Sequence, residues 1–295
     1  TLADDPTHYA ALLDILLHQR FLPAGRVQLA IGSGLPVTAI NCFVSRNIKD
    51  NYDSILQSAI EGGQTLRLGG GIGYNFSSIR PHGDPVRGLN TQASGPVEFM
   101  AIHDAVCKTV RSAGNRVGAQ MGILSVEHPD IRRFITVKQT PGVFTQFNLS
   151  VLLSDTFMQA VEVGGTFDLK FGERVYETLQ ARDLYDEIMR STWDHAEPGA
   201  LFPDNAEKMN NLYYDPPSRY TATNPCSEQP LPEFGACLLG SFNLVKYVRR
   251  NSPRDFNFQQ FTKDIEIVAN AMDNVIENTH YPLPEQKARH LEDRR

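Results

Sequence analysis

The chain has 295 residues, of which 41% are hydrophobic and 21% charged, and its formal net charge at pH 7 is −6. This composition is typical of a globular protein that buries a large core, in one large α/β domain or in two smaller ones. The net negative charge argues against nucleic acid and membrane surfaces as partners, and no apolar run approaches the length that spans a bilayer.

The four cysteines, at positions 42, 107, 226 and 237, are too few for a disulfide scaffold in a chain of this length. None has the C-x-x-C spacing of structural zinc sites. Nothing resembles a signal peptide, so we expect a cytoplasmic protein. The chain starts at Thr1 and stops at Arg295, straight after a helical pattern, and we expect it to be a piece of a longer protein.

Residues 1–36 form a predicted N-terminal segment of helix and loop. Apolar residues at helical spacing predict a helix over residues 7–20, and a glycine-rich stretch follows up to Pro36. The β-branched and apolar run Val37–Val44 predicts a buried strand, which begins a second predicted domain, residues 37–295. Cys42 lies in this strand, where residue type alone favours a small core residue.

Capping residues around Asp50 predict the start of a helix that ends in the glycines Gly69–Gly71. The spacing of these glycines does not fit the dinucleotide pattern G-x-G-x-x-G, which argues against a dehydrogenase. Because glycine has no Cβ, the segment lets the backbone approach a ligand, and it also suits a tight helix-to-strand turn. The polar loop that follows contains Arg80, whose planar guanidinium suits a phosphate, although a surface arginine needs no ligand.

A proline after a capping serine predicts a helix that begins near Pro96. Cys107 lies in this helix and is predicted to be a core residue without chemistry. A polar, glycine-punctuated loop with Arg116 comes next and leads into a predicted strand over residues 119–126. Taken alone, this loop is a plain basic turn.

A further strand is predicted over residues 144–153, with Asn148 and Ser150 interrupting its apolar pattern. Residues 166–171 then predict one arm of a small hairpin. These two predictions add to the alternation of helices and strands that is typical of an α/β fold.

A helix is predicted from Arg182 onwards, with an apolar stripe made of Leu184, Ile188, Met189 and Trp193. The D-H-x-E motif that follows at residues 194–197 suggests a metal ligand set, but its proline and glycine mark a helix end and no second cluster supports it. We therefore predict no metal site. A last amphipathic helix is predicted over residues 256–279.

The stretch Thr223–Leu231, with the sequence TNPCSEQPL, combines a thiol, an amide and a carboxylate. If it is extended, as Pro225 and Pro230 favour, alternate side chains face one space, and Asn224, Cys226 and Glu228 meet there. Such a set equips an active site. The alternative is an ordinary loop with one buried cysteine.

The motif N-P-C-S-E-Q-P-L, followed by A-C-L-L-G-S-F-N-L at residues 236–244, resembles the finger loop of ribonucleotide reductase large subunits. Further stretches match that family in the expected order over nearly the whole chain. The resemblance implies an α/β fold, a ten-stranded barrel of two five-stranded halves, of which this chain would supply the first half and the finger loop, about 223–244. The second half of the barrel would be absent.

The resemblance also implies catalytic roles. Cys226 would become the thiyl radical that takes the 3′ hydrogen of the ribonucleotide, Glu228 would be the general base for the 3′-hydroxyl, and Asn224 would orient the substrate hydroxyls. The thiols of Cys42 and Cys237 would supply two electrons by closing to a disulfide. The family reading of Cys42 thus differs from its reading as a core residue.

Substrate and effector contacts are implied as well. Asn41, together with the glycine segment at Gly70 and Gly71, would lie against the substrate, and Arg116 would reach its base. Asp50 and Arg80 would bind a nucleoside triphosphate effector, although an aspartate at that position could simply cap a helix.

The motif is more similar to the adenosylcobalamin-dependent class II reductases than to class I enzymes. Adenosylcobalamin is therefore the implied cofactor, and the implied partners are a thioredoxin-like reductant, the missing C-terminal half and a second copy in a homodimer. The alternatives are a class I large subunit that needs a separate radical-generating subunit, and an inactive nucleotide-binding remnant. We expect the chain alone to be inactive.

Overall fold

The computed structural model describes residues 2–86, 88, 90–110, 118–249 and 255–294. The chain divides into two compact units. We call Cys42–Gly235 the sheet unit, and we call Thr1–Asn41 together with Ala236–Arg295 the terminal unit. The predicted division into residues 1–36 and 37–295 stays a prediction.

Helices and strands alternate along much of the described chain. The helices are α1 (Pro6–Leu17), α2 (Gly25–Ala30), α3 (Tyr52–Arg67), α4 (Pro96–Thr109), α5 (Ile131–Thr136), α6 (Asp155–Val163), α7 (Ala181–His195), α8 (Pro203–Lys208), α9 (Phe258–Asn278) and α10 (Pro284–Asp293). The strands are β1 (Phe21–Pro23), β2 (Cys42–Val44), β3 (Gly71–Asn75), β4 (Pro85–Val86), β5 (Thr91–Gln92), β6 (Gln120–Ser125), β7 (Phe147–Leu152), β8 (Thr166–Phe171), β9 (Arg174–Gln180), β10 (Gly199–Leu201), β11 (Ala222–Thr223), β12 (Pro230–Leu231), β13 (Ala236–Cys237) and β14 (Gly240–Phe242).

A parallel sheet forms the centre of the sheet unit. Its strands lie in the order β10-β7-β6-β3-β2, and each neighbouring pair is parallel. Helices connect these strands, because parallel neighbours need a crossover that returns the chain to the same edge. The α/β prediction is confirmed, and the five parallel strands described here match one half of the expected barrel.

One face of the parallel sheet is buried in the main hydrophobic core. This face carries Ile72, Tyr74, Leu124, Leu149 and Val151, each at most 2% exposed. Because strand side chains alternate between faces, the neighbouring positions on each strand point to the opposite face. That opposite face carries the candidate site.

Helix α3 lies close to the sheet because it presents glycine to it. A Cβ on Gly62 would overlap the Tyr74 hydroxyl, so only glycine permits this approach. The helix starts at an N-cap, where the Asn51 side chain accepts a hydrogen bond of 2.8 Å from the Ser54 N–H. An ion pair also joins it to the segment after β2, between Arg46 and the buried carboxylate of Glu61.

Several predicted elements are confirmed at their positions. They include α1, α3, α4, α9 and the antiparallel hairpin of β8 and β9. Cys107 is buried in α4, as predicted.

The strand predicted over Val37–Val44 begins only at Cys42. The N–H of Ala39 donates to the Thr279 hydroxyl at 2.8 Å, and the N–H of Ile40 donates to the Thr38 hydroxyl at 3.1 Å. Since side-chain oxygens take these donors, the segment before Cys42 does not join a strand ladder.

Trp193 does not belong to the buried stripe of α7, since it is 88% exposed. The buried face consists of Ala181, Leu184, Ile188 and Ser191. The Ser191 hydroxyl donates to the Ile135 carbonyl at 3.1 Å, so a small polar residue occupies the last buried turn.

The terminal unit joins both ends of the chain. Helix α1 packs on α9 through a cluster that includes Leu12, Ile15 and Val268. The Arg20 guanidinium donates to the buried Asp264 carboxylate at 2.6 Å, and Tyr247 donates to the same carboxylate at 2.8 Å. No helix in the described part of the chain is both long and apolar enough to cross a bilayer.

Candidate active site

The TNPCSEQPL motif forms a β-hairpin in the sheet unit. Strands β11 and β12 pair antiparallel, with Thr223 opposite Pro230. At the tip, the Ser227 N–H donates to the Asn224 carbonyl at 3.0 Å, which closes a four-residue turn with Pro225 in second place and Cys226 in third. Cys226 is exposed at this tip.

The extended conformation expected for residues 224–228 is therefore wrong. Proline favours the second position of such a turn, because its ring presets φ, and asparagine favours the first. Ser227 has φ of +67°, which reverses the chain. As a result Asn224 is fully buried, whereas Cys226 and Glu228 are exposed.

The two polar atoms of the Asn224 side chain differ in their hydrogen bonding. Its Oδ1 accepts a hydrogen bond of 3.0 Å from the Gln229 N–H and so holds the turn together. Its Nδ2 is buried and has no hydrogen-bond partner among the described residues. A buried donor without an acceptor is costly, so this atom is an exception among buried polar groups.

The hairpin lies against β3, where glycines leave room for it. A Cβ on Gly73 would overlap the Thr223 carbonyl oxygen, and a Cβ on Gly71 would come within 2.8 Å of Pro225. The Asn75 side chain donates to the Thr221 carbonyl at 2.8 Å. Backbone-to-backbone packing of this closeness requires glycine on the strand.

Two polar residues of β7 hold the tip of the hairpin. The Asn148 Nδ2 donates to the Pro225 carbonyl at 2.7 Å, and the Ser150 hydroxyl lies 3.4 Å from that of Ser227. Asn148 and Ser150 are two residues apart and therefore point to the same face of the sheet. The exit of the hairpin is fixed to β2, where the Val44 N–H donates to the Gly235 carbonyl at 2.8 Å.

Cys42 lies on the sheet face that the hairpin covers. It pairs with Gly71 across β2 and β3, and paired residues of parallel strands point to the same side. Gly71 in turn faces Pro225, the residue before Cys226. The structure thus brings Cys42 and the hairpin tip to one face of the sheet, and the Cys42 side chain is 8% exposed.

Two further residues of the implied site, Cys237 and Asn41, belong to the terminal unit. Cys237 lies on β13 and is 5% exposed. The Asn41 Oδ1 is buried and has no hydrogen-bond partner within the described residues. The redox role of Cys237 and the substrate role of Asn41 stay predictions.

Gly70 and Gly71, at the start of β3, make protein contacts that require glycine. A Cβ on Gly70 would lie 2.7 Å from the Phe43 ring. Gly70 and Gly71 are therefore both needed for packing, and their contact with a substrate stays a prediction. Arg116 lies outside the described residues.

The two implied effector residues contact each other. The Arg80 Nε donates to Asp50 Oδ2 at 2.8 Å, the Arg80 backbone N–H donates to Asp50 Oδ1 at 3.1 Å, and both side chains are about 30% exposed. Asp50 does not cap α3, because Asn51 does. The pair holds the loop after β3 against the start of α3, and effector binding by the pair stays a prediction.

A cavity of about 460 Å³ lies beside the base of the hairpin. It is lined at the carboxyl ends of the parallel strands, by Ile48, Ser77, Leu152 and Leu201 among others, and by the Thr221–Thr223 segment. Crevices at the carboxyl ends of parallel strands are where ligands bind in open α/β sheets. Cys226 lies at the other end of the hairpin, at its tip.

Glu197 of the D-H-x-E motif makes structural contacts. Glu197 forms an ion pair with Lys138 and accepts a hydrogen bond of 3.2 Å from the Leu149 N–H. Among the described residues there is no group of three or more His, Cys, Asp or Glu side chains that could hold a metal ion.

Sequence reasoning missed the residues that hold the hairpin, which are Asn75, Gly73, Asn148 and Ser150. The only signal in the sequence was the interruption of the apolar β7 pattern by Asn148 and Ser150. That pattern does not reveal a partner 77 residues further along the chain, as Pro225 is.

Comparison with known proteins gives one family. The family model described as "Ribonucleotide reductase, barrel domain" matches residues 40–295. The chain is 34% identical over 92% of its length to a vitamin B12-dependent ribonucleoside-diphosphate reductase of Mycobacterium tuberculosis. It is 33% identical over 83% of its length to the protein of that name from Thermoplasma acidophilum, and 33% identical over 88% to a vitamin B12-dependent ribonucleotide reductase of Streptomyces avermitilis.

The matches cover 39%, 32% and 29% of those three relatives, so the chain spans less than two fifths of their length. The family match, in contrast, extends over most of this chain and includes both β2 and the hairpin. The chain therefore belongs to the ribonucleotide reductase barrel-domain family.

Proposed function

We propose that this chain provides part of the catalytic barrel of an enzyme that reduces ribonucleotides to 2′-deoxyribonucleotides by thiyl-radical chemistry. The observation that carries the proposal is the exposed Cys226 at the tip of a hairpin, seated on the sheet face that carries Cys42. The family match and the names of the relatives support the same reaction.

Cys226 acts in this proposal as the radical that takes hydrogen from the 3′ carbon of the substrate and later returns it. The exposed Glu228 carboxylate accepts the proton of the 3′-hydroxyl, and the open Nδ2 of Asn224 donates to a substrate hydroxyl. The 2′-hydroxyl then leaves as water.

Replacement of the 2′-hydroxyl by hydrogen, with release of one water, takes up two electrons and two protons in total. The thiols of Cys42 and Cys237 provide them, each giving one hydrogen atom equivalent, and the two sulfurs join in a disulfide. A thioredoxin-like dithiol protein would restore the thiols by disulfide exchange. Each turnover then consumes one dithiol and releases one water.

Adenosylcobalamin is the cofactor that we propose, because the relatives are named vitamin B12-dependent. Cys226 is exposed at the hairpin tip, and it is the residue of this chain that would face the adenosylcobalamin. When bound, it would supply the one-electron chemistry that turns the thiol into a radical.

The remaining partners follow from the family. We propose that Asn41, Gly70, Gly71 and Arg116 contact the ribonucleotide and that Asp50 and Arg80 contact a nucleoside triphosphate effector. A C-terminal half of the barrel, a homodimer and a cytoplasmic location belong to the same proposal.

The test is deoxynucleotide formation by the full-length gene product that contains this chain. Ribonucleoside diphosphates and triphosphates are supplied with a dithiol and with or without adenosylcobalamin, and products are measured by chromatography. We expect activity only with adenosylcobalamin, and we expect Cys226→Ala to abolish it. Cys107→Ala is the matched control and should retain activity, because Cys107 is buried in α4.

Three results would overturn parts of the proposal. Activity that needs a separate radical-generating subunit instead of adenosylcobalamin would favour a class I enzyme. A Cys226→Ala variant with full function would favour a nucleotide-binding remnant. Deoxynucleotide formation by the 295 residues alone would show that the second half of the barrel is not required.

A further inference from the structure

Asn148 contacts the backbone next to Cys226 and nothing in the reaction outlined above uses it. Its Nδ2 donates to the Pro225 carbonyl at 2.7 Å. That carbonyl belongs to the peptide bond between Pro225 and Cys226, so the hydrogen bond constrains the orientation of the plane from which the Cys226 side chain starts. We infer that Asn148 is a positioning residue, which sets the direction of the Cys226 thiol; the inference rests on the proposed function.

The strand that carries Asn148, β7, is held firmly in the sheet. Strand β7 lies between β6 and β10 in the parallel sheet, and Asn148 pairs with Met121 of β6. Its neighbours Phe147 and Leu149 are buried in the core, at 1% and 2% exposure. A side chain on an interior strand is positioned more precisely than one on a loop. The hydrogen bond to Asn148 therefore fixes the position of the hairpin tip relative to the sheet.

The hydrogen bonds of the hairpin tip fall into two groups. Within the turn, the Ser227 N–H and the Gln229 N–H both bond to Asn224, so these contacts shape the turn without attaching it to the sheet. Asn148 attaches the tip to the sheet by a hydrogen bond, and the Ser150 hydroxyl contacts that of Ser227 at 3.4 Å. Pro225 also packs over Gly71 of β3. Loss of the Asn148 donor would therefore loosen the peptide bond that precedes Cys226, while the base of the hairpin stays seated on β3.

The chemistry of the contact selects a test. A carboxylate has the shape of the asparagine amide but cannot donate to a carbonyl, so Asn148→Asp removes the hydrogen bond and places an acceptor against an acceptor. Asn148→Ala removes the group altogether. Asn205→Asp is the matched control, because Asn205 is an exposed residue of α8.

The first measurement is amide hydrogen exchange of the full-length protein, resolved by residue. We expect exchange of the Ser227 and Gln229 amides to be at least tenfold faster in Asn148→Asp and Asn148→Ala, with β6 and β7 unchanged. The control should match the wild type. Unchanged exchange at the tip, or faster exchange throughout the sheet unit, would overturn the inference.

The second measurement separates positioning from general stability. In the reductase assay, we expect the two Asn148 variants to lower kcat at least tenfold with KM within twofold of the wild type, because substrate binding does not use Asn148. A raised KM with unchanged kcat would contradict the inference. If the wild type forms no deoxynucleotide, the proposed function fails, while the exchange data still decide whether Asn148 holds the tip.

Discussion

Thiols of one chain differ in reactivity because their surroundings differ. Cys107 is 3% exposed, its sulfur lies 2.6 Å from where a Cβ of Gly118 would be, and burial raises the pKa of its thiol to about 11. Cys226, in contrast, is exposed at the hairpin tip. The thiolate is the nucleophile, so burial and the raised pKa both lower the reactivity of Cys107.

We therefore expect iodoacetamide at pH 8 to alkylate Cys226 at least tenfold faster than Cys107. With a pKa of about 11, only about one Cys107 thiol in a thousand is ionised at that pH. Peptide mass spectrometry over a time course measures both rates, and in urea the two rates should converge. Equal rates in the folded protein would contradict the placement of Cys107 in the core.

A buried histidine makes the stability of the sheet unit depend on pH. His103 lies in α4 at 1% exposure, with the Ser58 hydroxyl 2.9 Å from Nε2 and the Phe99 carbonyl 3.1 Å from Nδ1. Burial disfavours the charged ring and lowers the pKa of His103 to about 4. Between about pH 6.5 and pH 4 the unfolded chain therefore binds a proton more readily than the folded chain does. The free energy of unfolding is highest above the unfolded pKa of about 6.5 and falls as the pH falls towards 4.

From this shift we expect the free energy of unfolding to fall by about 2 kcal/mol more between pH 7.5 and pH 5 in the wild type than in His103→Gln. Urea unfolding at both pH values measures the difference. His195→Gln, at an exposed position at the end of α7, serves as control and should keep the wild-type pH dependence. The same pH dependence in His103→Gln would refute the role of His103.

Among the secondary-structure elements, the hairpin packs closely on β3 because β3 has glycine where the hairpin backbone contacts it. Gly73→Ala would place a methyl group on the Thr223 carbonyl oxygen, and neither partner is a flexible side-chain end. We expect this substitution to cost about 1–3 kcal/mol and to speed amide exchange in β11 and β12.

Chemical unfolding and hydrogen exchange of the variant measure both effects. Gly25→Ala is the control, because a Cβ there has no atom within 4 Å and Gly25 lies in a helix, where alanine is favoured. Should Gly73→Ala be as stable as the control, the close packing of the hairpin on β3 would be disproved.

The same elements show how far sequence patterns predict this fold. Apolar periodicity located α1, α3, α4 and α9, because each buries one face against a neighbour. It placed Trp193 in a stripe, although α7 ends at His195 and the last turn leaves the core. Periodicity does not record where a helix leaves its neighbour.

The candidate site was predicted in part for a similar reason. The resemblance predicted a role for Cys226, which stays a prediction, and the conformation of the tip depends on the turn that Pro225 and Asn224 form together. The fixed φ of a proline suits both an extended segment and the second position of a turn. Tertiary contacts decide between these two conformations. The Asn148 bond to Pro225 is such a contact, and no local pattern contains it.

For the whole molecule, the two ends of the chain fold together in the terminal unit. Ile15 of α1 is fully buried against a cluster that includes Val268 and Ala271 of α9. Ile15→Ala removes apolar contacts and leaves a cavity, so we expect it to cost about 2–5 kcal/mol. Leu17→Ala, on the same helix at 72% exposure, is the control and should change the stability by less than about 0.5 kcal/mol.

Amide hydrogen exchange shows which part of the molecule loses stability in the Ile15→Ala variant. In Ile15→Ala, we expect α9 amides to exchange faster, because α1 covers the face of α9 that carries Val268. Amides of β6 and β7 should keep their wild-type rates, because their core is built from residues of the sheet unit. If α9 kept its protection after the loss of Ile15, the N-terminal helix would not be part of the core that stabilises the C-terminal residues.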